Sequence, residues 1–140
     1  MRPLAVILQV KIWVTISFWC VPLLLFPRSV FEWLGFIDVG SIMFLRLLGM
    51  AYLALVAGYY LGYKDFVAGL YPSSAVLVGI ISNSGAFLLL VIGSVIDVWS
   101  SWGVLAKTFM WSSIVATGLI AFFLILYGPM QFGFKGKAVT

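Results

Sequence analysis

Residues 40–65, GSIMFLRLLGMAYLALVAGYYLGYKD, form an apolar run that a single charged residue, Arg46, interrupts near its start. The run has the length that a helix needs to cross a bilayer, which is about 20 mostly apolar residues. It ends at a charged pair, Lys64 and Asp65, which fits the border of a membrane span. We therefore predict a membrane-spanning helix over residues 40–63.

The composition of the whole chain indicates an integral membrane protein. Of its 140 residues, 64% are hydrophobic and only 9% are charged, whereas soluble domains are about half apolar and about a quarter charged. The mean hydropathy is +1.21. This amount of polar surface cannot cover a water-soluble particle of this size, so the sequence predicts an all-α fold inside a membrane.

Three more apolar runs have the length of a spanning helix, at residues 4–26, 73–96 and 104–127. Proline or glycine borders them at Pro27, Pro72 and Gly128, as expected for helix ends. The chain is thus predicted to be a single transmembrane domain of four helices in a bundle. Pro22 lies within the first run and should kink it about one turn before its end.

The first run is predicted to be a retained helix rather than a cleaved signal peptide, because no small-x-small cleavage site follows it. Between the first two runs, residues 28–38, RSVFEWLGFID, are too few to cross a membrane. Their aromatic and aliphatic side chains predict a short amphipathic helix along the outer interface.

Basic residues near the ends of the runs predict the orientation of the bundle. Five fall on one side and two on the other: Arg2, Lys11, Lys64, Lys135 and Lys137 against Arg28 and Lys107. We therefore expect both termini in the cytoplasm. Tyrosine and tryptophan cluster near both ends of the runs, as in interfacial belts, and Tyr59 is assigned to the inner belt.

The residue types that are missing exclude several functions. The chain has no histidine, one cysteine and four acidic residues, which removes imidazole catalysis, haem ligation by histidine and most zinc sites. It also has no glycine-rich nucleotide loop. Because these residue types and motifs are missing, we expect no enzymatic activity. The eight lysine and arginine residues form no patch, so we expect no nucleic-acid partner.

Arg46 is predicted to lie about six residues inside its span, roughly 9 Å below the outer surface at 1.5 Å per residue. The nearest acidic candidates at that level are Asp97 and Asp38, and Ser112 lies at a similar depth. We favour a structural ion pair or an anchor that reaches the head groups. The alternative is an outward-facing site for an anionic group such as a lipid phosphate.

The same helix carries a stripe of residues spaced by four, in which Met50, Ala54, Gly58 and Gly62 follow Arg46. Small residues at this spacing allow the backbones of two membrane helices to approach closely. The stripe is therefore predicted to pack against other helices rather than against lipid.

Asn83 falls near the middle of the third run, where its amide needs a hydrogen-bond partner. Thr117 and Ser17 lie at comparable depths, and helix adhesion through such bonds is the favoured interpretation. A polar lining for a small cavity or a quinone head group is the alternative. The predicted polar or ligand site comprises Arg46, Asp97, Asn83, Ser112 and Thr117, with no catalytic, cofactor-binding or metal-ligating set.

Residues 44–65, FLRLLGMAYLALVAGYYLGYKD, resemble the small bacterial inner-membrane proteins of the DoxX-like type. In those proteins an arginine followed by leucine and glycine stands early in a span that ends at a charged turn. The matching positions here are Arg46, Gly49, Gly58 and the Lys64–Asp65 turn. The resemblance implies a four-helix bundle in the inner membrane and an association with respiratory or quinone-linked complexes, and it supplies no catalytic residue.

Two functions remain open. The favoured one is a non-catalytic subunit or accessory protein of a larger membrane complex, respiratory or electron-transferring, held to other chains or to copies of itself by helix packing and lipid. The alternative is an autonomous bundle that binds a lipid, a quinone or another amphipathic molecule near Arg46 and Asn83. A transporter or channel ranks third, because the chain lacks internal repeats and central charges.

Overall fold

The computed structural model describes residues 3–132, which are largely helical and contain no β-strand. Within this range, four helices are long and apolar enough to cross a membrane, which confirms the predicted number of long helices. Arg2, Lys135 and Lys137, which enter the predicted charge balance, lie outside the described residues.

The first long helix, Pro3–Leu25, consists of α1 (Pro3–Thr15), a π-helical turn (Ile16–Cys20) and α2 (Val21–Leu25). The other long helices are α4 (Ile42–Val67), α5 (Ser73–Val95) and α6 (Val104–Tyr127). Two short helices, α3 (Arg28–Trp33) and α7 (Pro129–Phe132), follow the first and the last long helix. The four long helices begin and end within four residues of the predicted spans.

The π-helical turn lies where Pro22 was expected to disturb the first long helix. Pro22 has no N–H group, and its ring would collide with the carbonyl four residues earlier, so regular α-helical bonding cannot continue through this turn. The N–H of Val21 instead reaches the carbonyl of Ile16, five residues back. Such π turns are rare and frequently occur at functional sites.

The long helices run alternately up and down in a closed ring. Each packs against the next one along the chain, and α6 packs against α1. At one end, an apolar cluster joins all four of them through Leu4, Phe66, Val76 and Leu124. We call this the Phe66 end and the opposite end, where α3 lies, the α3 end.

The loop after α3 caps the start of α6. The carbonyls of Gly35 and Leu34 accept hydrogen bonds from the N–H groups of Gly103, at 2.8 Å, and Ala106, at 3.0 Å. These N–H groups have no partner within their own helix. Gly35 has a φ of +88°, and a Cβ there would lie 2.6 Å from the Cα of Gly103, so only glycine fits this crossing.

The stripe of residues predicted along α4 does not form a single packing face. Gly49 packs against α2 and Gly62 against α5, but Met50, Ala54 and Gly58 are exposed. An α-helix has 3.6 residues per turn, so positions spaced by four drift around it, by about 160° over four such steps. The stripe therefore faces α2 at its first residue, the outer surface in its middle and α5 at its last residue.

Two glycines on α4 provide a matched test of this packing. In Gly62→Ala the new Cβ would collide with the Cβ of Ala75, whereas at Gly58 nothing lies within 4 Å. We expect Gly62→Ala to lower the free energy of unfolding by about 1–3 kcal/mol through overpacking. Gly58→Ala should leave it unchanged or raise it slightly, since alanine is the better helix former. Thermal unfolding in one detergent would measure both, and equal shifts would contradict the packing described here.

Candidate functional site

Arg46 binds the carboxyl-terminal end of the first long helix. Its Nη1 donates a hydrogen bond to the carbonyl of Leu23, at 2.5 Å, and its Nη2 to the carbonyl of Phe26, at 2.8 Å. The last carbonyls of a helix have no partner within it and carry partial negative charge. The guanidinium therefore caps α2 and ties it to α4.

The carboxylates predicted to face Arg46 lie elsewhere. Asp97 and Asp38 are exposed loop residues with φ values of +58° and +55°, and neither forms an ion pair with Arg46 within residues 3–132. Ser112 is also exposed and donates to the carbonyl of Phe109 in its own helix. The structure thus gives Arg46 backbone partners, which no pattern of side chains along the chain reveals.

A cluster of polar side chains lies inside the bundle around Lys11 of α1. Lys11 is only 4% exposed, and its Nζ lies 4.4 Å from the centroid of the Tyr59 ring, a cation–π contact. Within the described residues it forms no hydrogen bond or ion pair. It follows Pro3 by eight residues, which places it roughly 12 Å along the helix.

Lys11 borders a cavity of about 230 Å³, here called the polar cavity. All four long helices contribute polar side chains to its wall, namely Lys11 and Thr15 from the first, Tyr52 and Tyr59 from α4, Ser82 and Asn83 from α5, and Thr117 from α6. The hydroxyls of Tyr59 and Ser82 are hydrogen-bonded at 2.9 Å, which fixes the ring that faces Lys11.

Asn83 and Thr117 meet at this cavity, but they are not bonded to each other. The amide nitrogen of Asn83 donates to the carbonyl of Gly79, at 2.5 Å, and the Thr117 hydroxyl donates to the carbonyl of Ser113, at 2.7 Å. Both bonds stay within one helix, so they do not join helices. The amide oxygen of Asn83 has no protein partner among the described residues and is open to a ligand.

A larger cavity of about 600 Å³ lies at the α3 end, here called the apolar cavity. Aromatic side chains form much of its wall, including Phe18, Trp19, Phe31, Phe36 and Phe109. Polar groups are few, and Asp38 and Ser112 are among them. Cavities of about 300–1,000 Å³ accommodate small-molecule ligands, and the chemistry of this one suits a hydrocarbon group.

Trp19, in the π-helical turn, forms part of the wall of both cavities. Its ring stacks on Tyr52 with the centroids 5.4 Å apart and meets Phe109 edge-on, also at 5.4 Å. It also lines a smaller cavity of about 160 Å³ that reaches Asn83 and Thr117. One aromatic side chain thus separates the polar cavity from the apolar cavity.

A cleft of about 370 Å³ between α4 and α5 approaches the polar cavity from the Phe66 end. The two spaces share Leu55 and Tyr59 as wall residues. The cleft includes Asp65 and Tyr71. Burial raises the pKa of the Tyr71 phenol above its ordinary value.

The sequence predictions assign Lys11 to a basic flank and Tyr59 to an interfacial belt, whereas the structure buries both. A signal for Lys11 exists in the helical spacing. Leu4, Leu8, Lys11 and Thr15 are separated by four, three and four residues, which defines one face of a helix, and all four are buried. The depth argument applied to Arg46 applies equally to Lys11.

The capping role of Arg46 can be tested with Arg46→Leu. A hydrogen bond to a charged group contributes about 1.5–3 kcal/mol, so loss of the two bonds to carbonyls at this helix end should lower the free energy of unfolding by about 3 kcal/mol. Arg28→Leu is the matched control, because Arg28 forms an exposed ion pair with Glu32, and such pairs contribute about 0–1 kcal/mol. Thermal unfolding in detergent would measure both, and a shift for Arg46→Leu as small as that of the control would contradict the cap.

Comparison with models of protein families, with curated proteins and with solved structures found no match to this chain. Its function is therefore argued from the cavities and from the side chains that line them.

Proposed function

We propose that the chain is a multi-pass membrane protein that binds an amphipathic small molecule inside its helix bundle. The polar part of the molecule would occupy the polar cavity and its hydrocarbon part the apolar cavity. One observation carries this proposal: a buried lysine, which has no counter-ion among residues 3–132, lines a polar cavity that shares a wall with a larger apolar one. This favours the second of the two functions predicted from sequence.

The outer surface of the bundle supports insertion into a membrane. Large apolar side chains are exposed along the long helices, among them Phe44 at 73%, Leu89 at 72% and Val104 at 80%. Monomeric soluble proteins rarely expose continuous apolar surface on this scale. Hydrocarbon around the four long helices would cover it, since each has the length and hydropathy of a membrane span.

The proposed orientation keeps the Phe66 end in the cytoplasm. Lys11 no longer counts as a flanking charge, which leaves four basic residues on that side, Arg2, Lys64, Lys135 and Lys137, against Arg28 and Lys107 on the other. The excess still satisfies the positive-inside rule. In this orientation both termini are cytoplasmic, and the apolar cavity lies in the outer half of the bilayer. We take the membrane to be the bacterial inner membrane, which the DoxX-like resemblance implies.

Lipids and quinones are the ligand classes that fit this division into polar and apolar space. Arg46 is left out of the ligand site, because two of its donors bind the carbonyls of Leu23 and Phe26 and it lines neither cavity. The proposed binding residues surround the polar group and are Lys11, Thr15, Asn83 and Thr117. The proposal assigns no catalytic role to any of them.

The test is retention of a lipid or a quinone by the purified protein, measured by native mass spectrometry and by solvent extraction. Thr15→Val keeps the shape of the side chain but removes a hydroxyl that borders the polar cavity and is unpaired among the described residues. It should lower occupancy about tenfold, because a hydrogen bond in a desolvated site contributes about 1–1.5 kcal/mol. Ser84→Ala, next to Asn83 and outside the walls of the four cavities, is the matched control.

Arg46→Leu completes this comparison. This variant should retain the ligand while unfolding at a lower temperature, since Arg46 caps a helix and lines neither the polar nor the apolar cavity. Equal occupancy in wild type and Thr15→Val, or loss of the ligand in Arg46→Leu at a temperature where the variant remains folded, would count against the proposed site.

A second candidate, the accessory subunit of a larger complex, rests on the outer surface of α4. Met50, Ala54 and Gly58 are exposed in this chain, and open space surrounds Gly58. A helix of another chain, or of a second copy, could approach closely there. Native mass spectrometry after mild extraction distinguishes the two functions: a partner chain that Gly58→Leu releases favours the subunit, and a monomer with bound ligand favours the binding protein.

A further inference from the structure

The charged form of Lys11 costs this protein free energy unless a partner compensates it. An ammonium group removed from water costs several kcal/mol, and nearby opposite charge is the usual compensation. Here the side chain is 4% exposed, and its nearest described polar contact is the face of the Tyr59 ring. A cation–π contact contributes about 0.5–2 kcal/mol, which is less than that cost.

No neighbouring helix supplies a counter-ion. The titratable groups that share the polar cavity with Lys11 are the phenols of Tyr52 and Tyr59, both from α4. The side chains from α5 and α6 are neutral: Ser82, Asn83 and Thr117. Asp65 belongs to the neighbouring cleft and does not border the polar cavity. Among residues 3–132, then, the cavity holds one basic group and no acidic side chain.

We infer that the polar cavity binds the anionic head group of an amphiphile, with Lys11 as its counter-ion. This inference rests on the proposed function and specifies the chemical class of the ligand. A carboxylate or a phosphate monoester would accept hydrogen bonds from the Lys11 ammonium. It would also accept one from the hydroxyl of Thr15, which is one turn further along the same face and is unpaired among the described residues.

The sizes of the cavities determine where the rest of the ligand lies. The polar cavity, at about 230 Å³, is below the range of about 300–1,000 Å³ that accommodates complete small-molecule ligands. The polar cavity thus has room for a head group but not for a long tail, which would extend past Trp19 into the apolar cavity. A neutral head group such as a quinone ring would leave Lys11 without a counter-charge, so the structure favours an anion.

The experiment compares two ligands that differ only in charge. Lipid-stripped protein in a non-ionic detergent is incubated with hexadecanoate or with hexadecan-1-ol, and the bound molecules are counted by native mass spectrometry. Wild type should bind the acid at least tenfold more tightly than the alcohol. Lys11→Met, which keeps a side chain of similar length without the charge, should bind both equally, with the affinity for the alcohol unchanged.

Lys64→Met is the matched control. Lys64 is also a lysine beside a tyrosine ring, with its Nζ 5.9 Å from the centroid of Tyr60, but it is exposed at the Phe66 end of α4. This variant should retain the full preference for the acid. If Lys64→Met loses the preference as Lys11→Met does, the anion is held at the surface and the inference is overturned.

The remaining outcomes separate the inference from the proposed function. If wild type binds the acid and the alcohol equally, the inference of an anionic head group fails, but the proposed amphiphile-binding function stands. If wild type binds neither, both the inference and the proposed function fail. Hexadecyl phosphate in place of the acid identifies the preferred head group, and either preference supports the inference. If acetate displaces hexadecanoate at equal concentration, the site binds a free anion, and the claim that its ligand is an amphiphile is overturned.

Thermal stability provides an independent readout. In lipid-free protein, Lys11→Met should raise the unfolding temperature, because it removes a buried charge without a partner. Added hexadecanoate should raise the unfolding temperature of wild type but not that of the variant, since only a ligand that binds the folded state stabilises it. A lower unfolding temperature for lipid-free Lys11→Met would show that Lys11 supports the fold itself, and it would overturn the inference.

Discussion

The burial of one ammonium group in an apolar helix bundle is the constraint on which the interior of this protein depends. Around Lys11, every long helix turns polar side chains inward, and the Tyr59 ring, fixed by its bond to Ser82, faces the charge. The Tyr59–Ser82 bond joins α4 to α5, but the hydrogen bonds of Asn83 and Thr117 stay within their own helices and add no cohesion between helices. This arrangement supports the proposed site for a ligand of opposite charge.

Arg46 and Lys11 both carry a basic group within a long helix, but their surroundings differ. Arg46 lies near a helix end, and its planar, multi-donor guanidinium reaches two carbonyls that the helix leaves unpaired. Lys11 lies deeper along its helix, where the surrounding backbone carbonyls are already engaged in helical bonds. One cation therefore finds its partner in the backbone of the fold, and the other lacks one within the described chain.

Much of the fold follows from patterns that are local in the sequence. The length of each apolar run determines a long helix, Pro22 disturbs the first helix where its missing N–H requires, and residues 28–33 form the short helix expected there. The partners of Arg46 and the packing of α4 were harder to predict. Backbone carbonyls leave no signature among side chains, and a spacing of four residues drifts around a helix instead of following one neighbour.

By itself, the sequence determined the four long apolar helices and the polar character of Asn83 and Thr117, because helix formation and hydropathy depend on neighbouring residues. Only the tertiary structure decided which polar groups share a cavity. Lys11, Tyr59, Ser82 and Thr117 come from four different helices, and their meeting depends on the rotation of each helix about its axis. That rotation is set by packing between helices far apart in the chain. It places Lys11, which the sequence predicts to be a flanking charge, at the centre of the candidate site.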